Sequence, residues 1–183
     1  MTVASHGVSP TPVSAAQLSD VAVLLGKLLP ADDLLAGYGQ RLLDPELAAA
    51  LRGYLNGSID LVLRVPGSAG ARDRYAIIDY KTNWLAPAGE PLSAAHYGAA
   101  ELAVEMQRSH YALQALLYSA ALHRYLRWRL RGYDPETDLA GVRYLFLRGM
   151  LGPSQPDFGV FAWHPPASLV VALSDLLAGG ELR

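Results

Sequence analysis

Three polar residues stand in two segments that otherwise have the composition of buried strands. Asp60 interrupts the apolar run 58–65, and Asp79 and Lys81 lie at the end of the run 74–81. Because strand side chains alternate between the two faces of a sheet, Asp79 and Lys81 point the same way. The turn sequence "PGSAGARD" joins the two runs and favours an antiparallel hairpin. In such a hairpin, Asp60 can lie beside Asp79 on one face.

This trio of side chains indicates a particular chemistry. Two adjacent carboxylates repel each other, so one of them takes up a proton unless a cation offsets the charge. Hard oxygen ligands suit Mg²⁺ or Mn²⁺, and a lysine on the same face can hold a water or a phosphate oxygen beside the metal. Such a metal lowers the pKa of bound water and neutralises charge on a phosphorane, so the pattern is suited to phosphodiester hydrolysis.

The alternative interpretation of an Asp-x-Lys pattern is a solvent-exposed sheet edge. The apolar neighbours "AII" and "IDLVL" favour burial instead. A buried aspartate without a partner is costly, so burial favours the chemical interpretation.

The rest of the sequence predicts the elements that position these residues. A flexible lead-in at 1–16 precedes a single domain at 17–183, in which residues 31–48 form a loop with about one turn of helix. Helix and strand runs together predict an α/β domain with helices packed on a mixed sheet. Helices are predicted at 17–29, at 93–131 with a break near Ser109, and at about 167–178; strands are predicted at 50–55, 58–65, 74–81, 141–149 and near 158–163.

Composition narrows the classes of function. The chain has 183 residues, enough for one domain with a core, and a net charge of −2, so nucleic-acid binding requires a local patch or a metal. It has no cysteine, which excludes disulfides and thiolate metal sites and fits a cytoplasmic location. No apolar run is long enough for a membrane span, and no P-loop indicates an ATP-hydrolysing motor.

Four segments together resemble a known family: "GSIDLV", "IIDYKTNWL", "YALQALLYSAALHRYLRWRL" and "GVRYLFLRGM". They are similar to the C-terminal nuclease domain of the RecB family, the beta subunit of the RecBCD helicase–nuclease (exodeoxyribonuclease V). The match runs from about residue 50 to the C-terminus. The resemblance implies the restriction-endonuclease-like core of the PD-(D/E)XK superfamily. It also implies a Mg²⁺-dependent exodeoxyribonuclease active in double-strand-break repair and recombination.

The resemblance implies a role for each matching residue. Asp60 and Asp79 would bind the metal, and the main-chain carbonyl of Tyr80 would be a further ligand. Lys81 would orient or activate the attacking water. Asn83 and Trp84 would close the strand and anchor the next loop, with DNA contact as their other possible role.

A second matching element lies on the long helix. Gln114 and Tyr118 match a Q-x-x-x-Y element of the family, and Tyr111 lies one turn earlier on the same face. Two roles stay open for this face: support of the active site or DNA contact, and simple packing on the sheet. Further along, the four arginines of "LHRYLRWRLR" with Tyr125 and Trp128 between them favour a solvated basic face over a DNA contact.

The chain departs from the family at one position. The family's metal-binding histidine, well upstream of the first aspartate, has no counterpart, since His6 lies in the lead-in without matching context. The chain therefore resembles the tail of a larger polypeptide or a shortened gene product, and we expect the N-terminal part of the family domain to be missing from it. The resemblance implies DNA, as unwound single strands, together with RecC-like gamma and RecD-like alpha subunits and the RecA recombinase as partners.

Two alternatives to a nuclease remain open. One is a catalytically incomplete nuclease-fold module that serves for subunit docking or RecA loading. The other is an unrelated α/β domain, which predicts that Asp60 and Asp79 are exposed and far apart.

Overall fold

The structure is a computed structural model, and it describes residues 16–50, 57–68 and 70–179. The predicted lead-in at 1–16 and the predicted strand at 50–55 fall outside these ranges except for residues 16 and 50. Residue 50 ends a helix, and the two predictions are otherwise untested.

The longer helices and the strands follow one another in the order that the sequence predicts, and the short helix Pro135–Asp138 is an addition to that order. The predicted helix at 17–29 and the final helix are confirmed, while the predicted loop at 31–48 contains two short helices. The helices are α1 (Leu18–Leu28), α2 (Tyr38–Arg41), α3 (Pro45–Ala50), α4 (Ala99–Arg108), α5 (Tyr111–Arg129), α6 (Pro135–Asp138) and α7 (Ala167–Leu177). The strands are β1 (Leu61–Val65), β2 (Arg74–Lys81), β3 (Leu139–Phe146) and β4 (Val160–Trp163).

The strands form a four-stranded sheet in the order β1-β2-β3-β4. β1 and β2 are antiparallel, β2 and β3 are parallel, and β3 and β4 are antiparallel. A parallel pair needs a long crossover connection, which α4 and α5 supply here. The fold is therefore the predicted α/β class, with helices flanking a mixed sheet.

The long helical segment is broken where the sequence predicts a break. α4 ends at Arg108, and α5 begins at Tyr111. Between them His110 has a left-handed backbone conformation, with φ of 55°. Its Nδ1 lies 3.0 Å from the hydroxyl of the buried Tyr38, and this contact anchors the junction. The predicted start at 93 is less regular, since a separate 3-10 turn covers Ala94–Tyr97.

Two strand predictions need correction. The predicted strand 141–149 begins earlier and ends at Phe146, and a 3-10 turn follows at Leu147–Gly149. Gly149, in this turn, packs so closely on Tyr97 that a Cβ there would overlap the ring.

The predicted burial of "IDLVL" is wrong. β1 begins at Leu61, and Leu61, Val62 and Leu63 are 41%, 39% and 46% exposed. β1 lies at the edge of the described sheet with β2 as its neighbour, so its apolar side chains have little cover. The flanking residues of Asp79 are buried as predicted: Ala76, Ile77 and Ile78.

The core lies between the helices and one face of the sheet. On β3, Val142, Tyr144 and Phe146 alternate toward this face and are fully buried. Phe161 and Trp163 of β4 pair with β3 residues of the same face. No helix in the described part of the chain is long and apolar enough to cross a membrane.

An ion pair between Arg72 and Asp138 lies at the start of β3. Asp138 is fully buried and accepts hydrogen bonds from Arg72 at 2.8 and 2.9 Å and from the Asp134 amide at 3.0 Å. Burial alone would raise the pKa of Asp138, but the hydrogen bonds from Arg72 and the Asp134 amide outweigh it and lower the pKa below its ordinary value.

We expect Asp138 to make the fold acid-sensitive. A carboxyl whose pKa is lowered by folding stabilises the protein above its unfolded pKa, and this contribution is lost as the pH falls through the folded value. The free energy of unfolding should therefore drop below about pH 4. Asp138→Asn should make that drop shallower, as measured by denaturant unfolding across pH 3 to 7. The control is Asp73→Asn, in a more exposed ion pair with Arg64 than that of the fully buried Asp138. An unchanged pH dependence in Asp138→Asn would refute the prediction.

Candidate functional site

The two predicted metal-binding aspartates face each other across β1 and β2. The strand register pairs Leu61 with Ile78, and one further step places Asp60 opposite Asp79. The Tyr80 amide donates a hydrogen bond of 3.0 Å to Asp60 Oδ2, which holds Asp60 against β2 although it lies just before β1. Asp60 is exposed, whereas Asp79 is 2% exposed. This arrangement contradicts the alternative in which both carboxylates are exposed and far apart.

Lys81 is enclosed on the same face as Asp79. Its Nζ lies 2.6 Å from Asp79 Oδ2 and 3.0 Å from Gln114 Oε1. It also lies 4.1 Å from the centre of the Tyr111 ring, within the range of a cation–π contact. The ammonium is thus held by a carboxylate, an amide oxygen and an aromatic face at once.

The charge on Asp79 is only partly compensated. Burial raises the pKa of Asp79, and although the Lys81 ammonium lowers it, Asp60 raises it further. Asp79 Oδ2 is buried, and no donor among the described residues is aligned with it as a hydrogen bond requires. Lys81 Nζ lies close enough to form an ion pair with that oxygen, but without this alignment.

These features fit a divalent cation. An additional positive charge at Asp79 Oδ2 would complete the coordination of that oxygen and remove the repulsion from Asp60. In residues 16–50, 57–68 and 70–179, no three His, Cys, Asp or Glu side chains are placed to share an ion. Asp60 and Asp79 are the two carboxylates here that could hold such an ion.

Helix α5 presents a connected polar row to the sheet. Gln114 Oε1 accepts hydrogen bonds of 3.0 Å from both Lys81 and the Tyr144 hydroxyl. Gln114 Nε2 donates to the Tyr118 hydroxyl at 3.0 Å, and that hydroxyl donates to the Ser58 carbonyl at 2.6 Å. The row links Lys81 to the segment just before Asp60, and burial raises the pKa of Tyr144, which stays a donor.

Asn83 links the end of β2 to α4 and α5. Its Nδ2 donates to Glu105 Oε1 at 2.9 Å and to the Tyr111 hydroxyl at 3.1 Å. Its main-chain carbonyl accepts a hydrogen bond of 2.7 Å from the Tyr97 hydroxyl. Asn83 therefore fixes Tyr111, whose ring covers Lys81.

Two residues of this network were missed by reasoning from the sequence. Glu105 is 3% exposed and also accepts hydrogen bonds from Arg108 and Ser109. Its sequence signal is a carboxylate four residues before the predicted break near Ser109. Tyr144 is paired with Asp79 in the parallel register of β2 and β3, which the sequence alone does not define.

The prediction of a solvated basic face at the end of α5 needs a partial correction. Arg124 does not lie on a solvated face, because its guanidinium donates to the Ser174 hydroxyl at 3.0 Å and to the Ser174 carbonyl at 2.5 Å. It therefore ties α5 to α7. Arg127 and Arg129 are exposed, and Trp128 is 76% exposed, so this part of the helix faces solvent. The choice between a solvated face and a DNA contact stays a prediction.

Comparison with known proteins identifies the family. The chain is 54% identical over 168 residues to the RecBCD enzyme subunit RecB of Mycolicibacterium smegmatis, a match that covers 88% of the chain. This chain belongs to the RecB family. RecB of Mycobacterium tuberculosis (strain H37Rv) is 51% identical over 172 residues and 91% of the chain, and RecB of Escherichia coli K12 is 44% identical over 133 residues and 73% of the chain.

The RecB relatives are much longer than this chain. The matches span 15% of the length of the two mycobacterial RecB proteins and 10% of that of the Escherichia coli RecB. No protein-family model matches the chain.

We expect Gln114→Ala to destabilise the fold. The substitution removes the acceptor shared by Lys81 and Tyr144, and the Tyr144 side chain is fully buried. An unsatisfied buried hydroxyl costs about 1–3 kcal/mol, which denaturant unfolding can measure. A matched control is Gln107→Ala on α4, which removes a hydrogen bond of 3.2 Å to the Leu34 carbonyl at the surface. Equal losses in the two variants would contradict the prediction.

Proposed function

We propose that the chain is a Mg²⁺-dependent deoxyribonuclease domain that hydrolyses DNA phosphodiester bonds in double-strand-break repair and recombination. The observation that carries this proposal is the placement of Asp79. It is buried opposite Asp60, lies 2.6 Å from the Lys81 ammonium, and keeps one oxygen without an aligned donor. Membership of the RecB family supports the setting, a helicase–nuclease of the RecBCD type.

Each residue of the site has a proposed role. Asp60 and Asp79 would hold Mg²⁺ or Mn²⁺, with the main-chain carbonyl of Tyr80 as a further ligand. A bound metal lowers the pKa of its water and neutralises charge at phosphorus. Lys81 orients the attacking water from the position that Gln114 and Tyr111 impose on it.

The proposal extends to partners. A RecBCD-like assembly would bring unwound single strands to the site, and RecC-like gamma and RecD-like alpha subunits would be its neighbours. RecA recombinase is a further proposed partner. The family name of the relatives, RecBCD enzyme subunit RecB, supports a multisubunit setting.

A second candidate function is a non-catalytic module for subunit docking or RecA loading. It is favoured by the two-carboxylate site, since the described residues supply no third acidic or histidine ligand. It is also favoured by the open face of the sheet, where Leu61, Leu63 and Tyr80 are exposed. Exposed apolar surface of this kind suits contact with another protein.

The cleavage assay separates the two functions. We expect the purified chain to degrade single-stranded DNA only with Mg²⁺ or Mn²⁺, and Asp79→Ala to abolish the reaction. Lys81→Met should lower the rate by a factor on the order of 10²–10⁴, as for loss of a proton-transfer or water-orienting group. Asp175→Ala on α7 is the control, since this exposed carboxylate lies outside the site. No cleavage by the wild type, with partner binding intact, would favour the docking module.

Metal binding can be tested without activity. If Asp60 and Asp79 bind Mg²⁺, the ion at 100 times its dissociation constant should stabilise the wild-type fold by about 2.7 kcal/mol. Asp79→Asn should lose this stabilisation in the same thermal unfolding measurement, and Asp175→Asn should keep it. Absence of any Mg²⁺ effect on the wild type would rule out the metal site.

A further inference from the structure

An exposed tryptophan and an exposed arginine lie together at the end of β2 and β3. Trp84 is 56% exposed, and the Arg148 guanidinium carbon lies 5.8 Å from the centre of its ring. Trp84 follows Lys81 by three residues, so their Cα atoms are at most about 11 Å apart. The pair is therefore adjacent to the Asp79–Lys81 site.

The two residues before Trp84 are both fixed by hydrogen bonds to their main-chain carbonyls. The Thr82 carbonyl accepts a hydrogen bond of 2.9 Å from Arg148 Nε, and the Asn83 carbonyl accepts one of 2.7 Å from the Tyr97 hydroxyl. The Asn83 side chain is bound to the buried Glu105. A large aromatic surface on a fixed backbone loses little entropy when a ligand binds to it.

The site is acidic, so a DNA phosphate beside it requires a nearby cation, and Arg148 is placed to supply one. Asp60 and Asp79 repel a phosphate backbone, and the Lys81 ammonium is already paired with Asp79. Within the described ranges Arg148 has no ion-pair partner, and Nε is the guanidinium nitrogen that donates to the protein. Its two terminal nitrogens can therefore bind a phosphate while Nε keeps the side chain in place.

We propose that Trp84 and Arg148 form a binding subsite for single-stranded DNA. The Trp84 ring stacks on an unpaired base, and Arg148 contacts an adjacent phosphate. Stacking on an open aromatic face requires a base that is free of its own neighbours, which favours a single strand over a duplex. In the proposed nuclease, this subsite would present a DNA strand to Asp79. That role rests on the proposed nuclease function.

The chain contains a matched control pair. Trp128 and Arg129 form a second exposed tryptophan–arginine contact, with the guanidinium carbon 4.9 Å from the ring centre. Trp128 is 76% exposed, more than Trp84. It lies 14 residues after Gln114 on α5, which is about 21 Å along the helix axis. The substitution Trp128→Ala therefore tests whether loss of any exposed tryptophan beside an arginine weakens DNA binding.

The test measures binding of a fluorescent oligothymidylate to the full chain in EDTA, at several salt concentrations. Trp84→Ala should weaken binding by a factor on the order of ten, and Trp84→Phe should restore most of it, because a ring remains. Arg148→Ala should also weaken binding and make the slope of log K against log salt shallower by about 0.7. Trp128→Ala and Arg129→Ala should stay within about twofold of the wild type.

The outcomes distinguish this subsite from the proposed nuclease activity. If the wild type cleaves DNA with Mg²⁺ but Trp84→Ala and Arg148→Ala bind and cleave like the wild type, the subsite is refuted and the nuclease stands. If the variants lose affinity but the wild type does not cleave, the subsite stands and the nuclease proposal fails. If Trp84→Ala weakens binding to a protein subunit and leaves DNA affinity unchanged, Trp84 is a protein contact and the subsite is refuted.

Discussion

The site depends on one buried carboxylate held against a second one. Asp79 is almost fully buried, it faces Asp60, and its pKa is raised by burial in spite of the adjacent Lys81. A fold that needed only stability would place an apolar side chain there, because a buried charge is worth little even when it is paired. Groups whose pKa is shifted by burial and by a specific charge partner are concentrated at functional sites.

The topology explains why so many polar groups meet at this point. β2 and β3 are parallel, so their carboxyl ends lie at the same end of the sheet. The crossover through α4 and α5 leaves from that end and crosses a face of the sheet to reach the start of β3. The start of α5 brings Tyr111 and Gln114 onto Lys81. Trp84 and Arg148 follow the ends of the same two strands, so the proposed strand-binding subsite and the acidic pair share one scaffold.

Much of this arrangement can be predicted from local sequence. Strand alternation correctly predicts that Asp79 and Lys81 share a face, and proline and glycine placement predicts the loops between the main elements. The break near Ser109 is also predicted correctly, although no proline or glycine lies beside it. The exposure of β1 could not be predicted, because apolar composition does not reveal which strand lies at the edge of a sheet. Contacts made by Glu105 and Tyr144 depend on helix placement and on the parallel register, which are properties of the tertiary structure.

The central claim is that Asp60 and Asp79 bind one divalent cation between adjacent strands. The most direct measurement is anomalous X-ray scattering from crystals of the chain grown with Mn²⁺. We expect a single strong anomalous peak within bonding distance of carboxylate oxygens of both aspartates, with Lys81 beside it. A Mn²⁺ peak bound elsewhere, or two carboxylates that point apart with no ion between them, would contradict it.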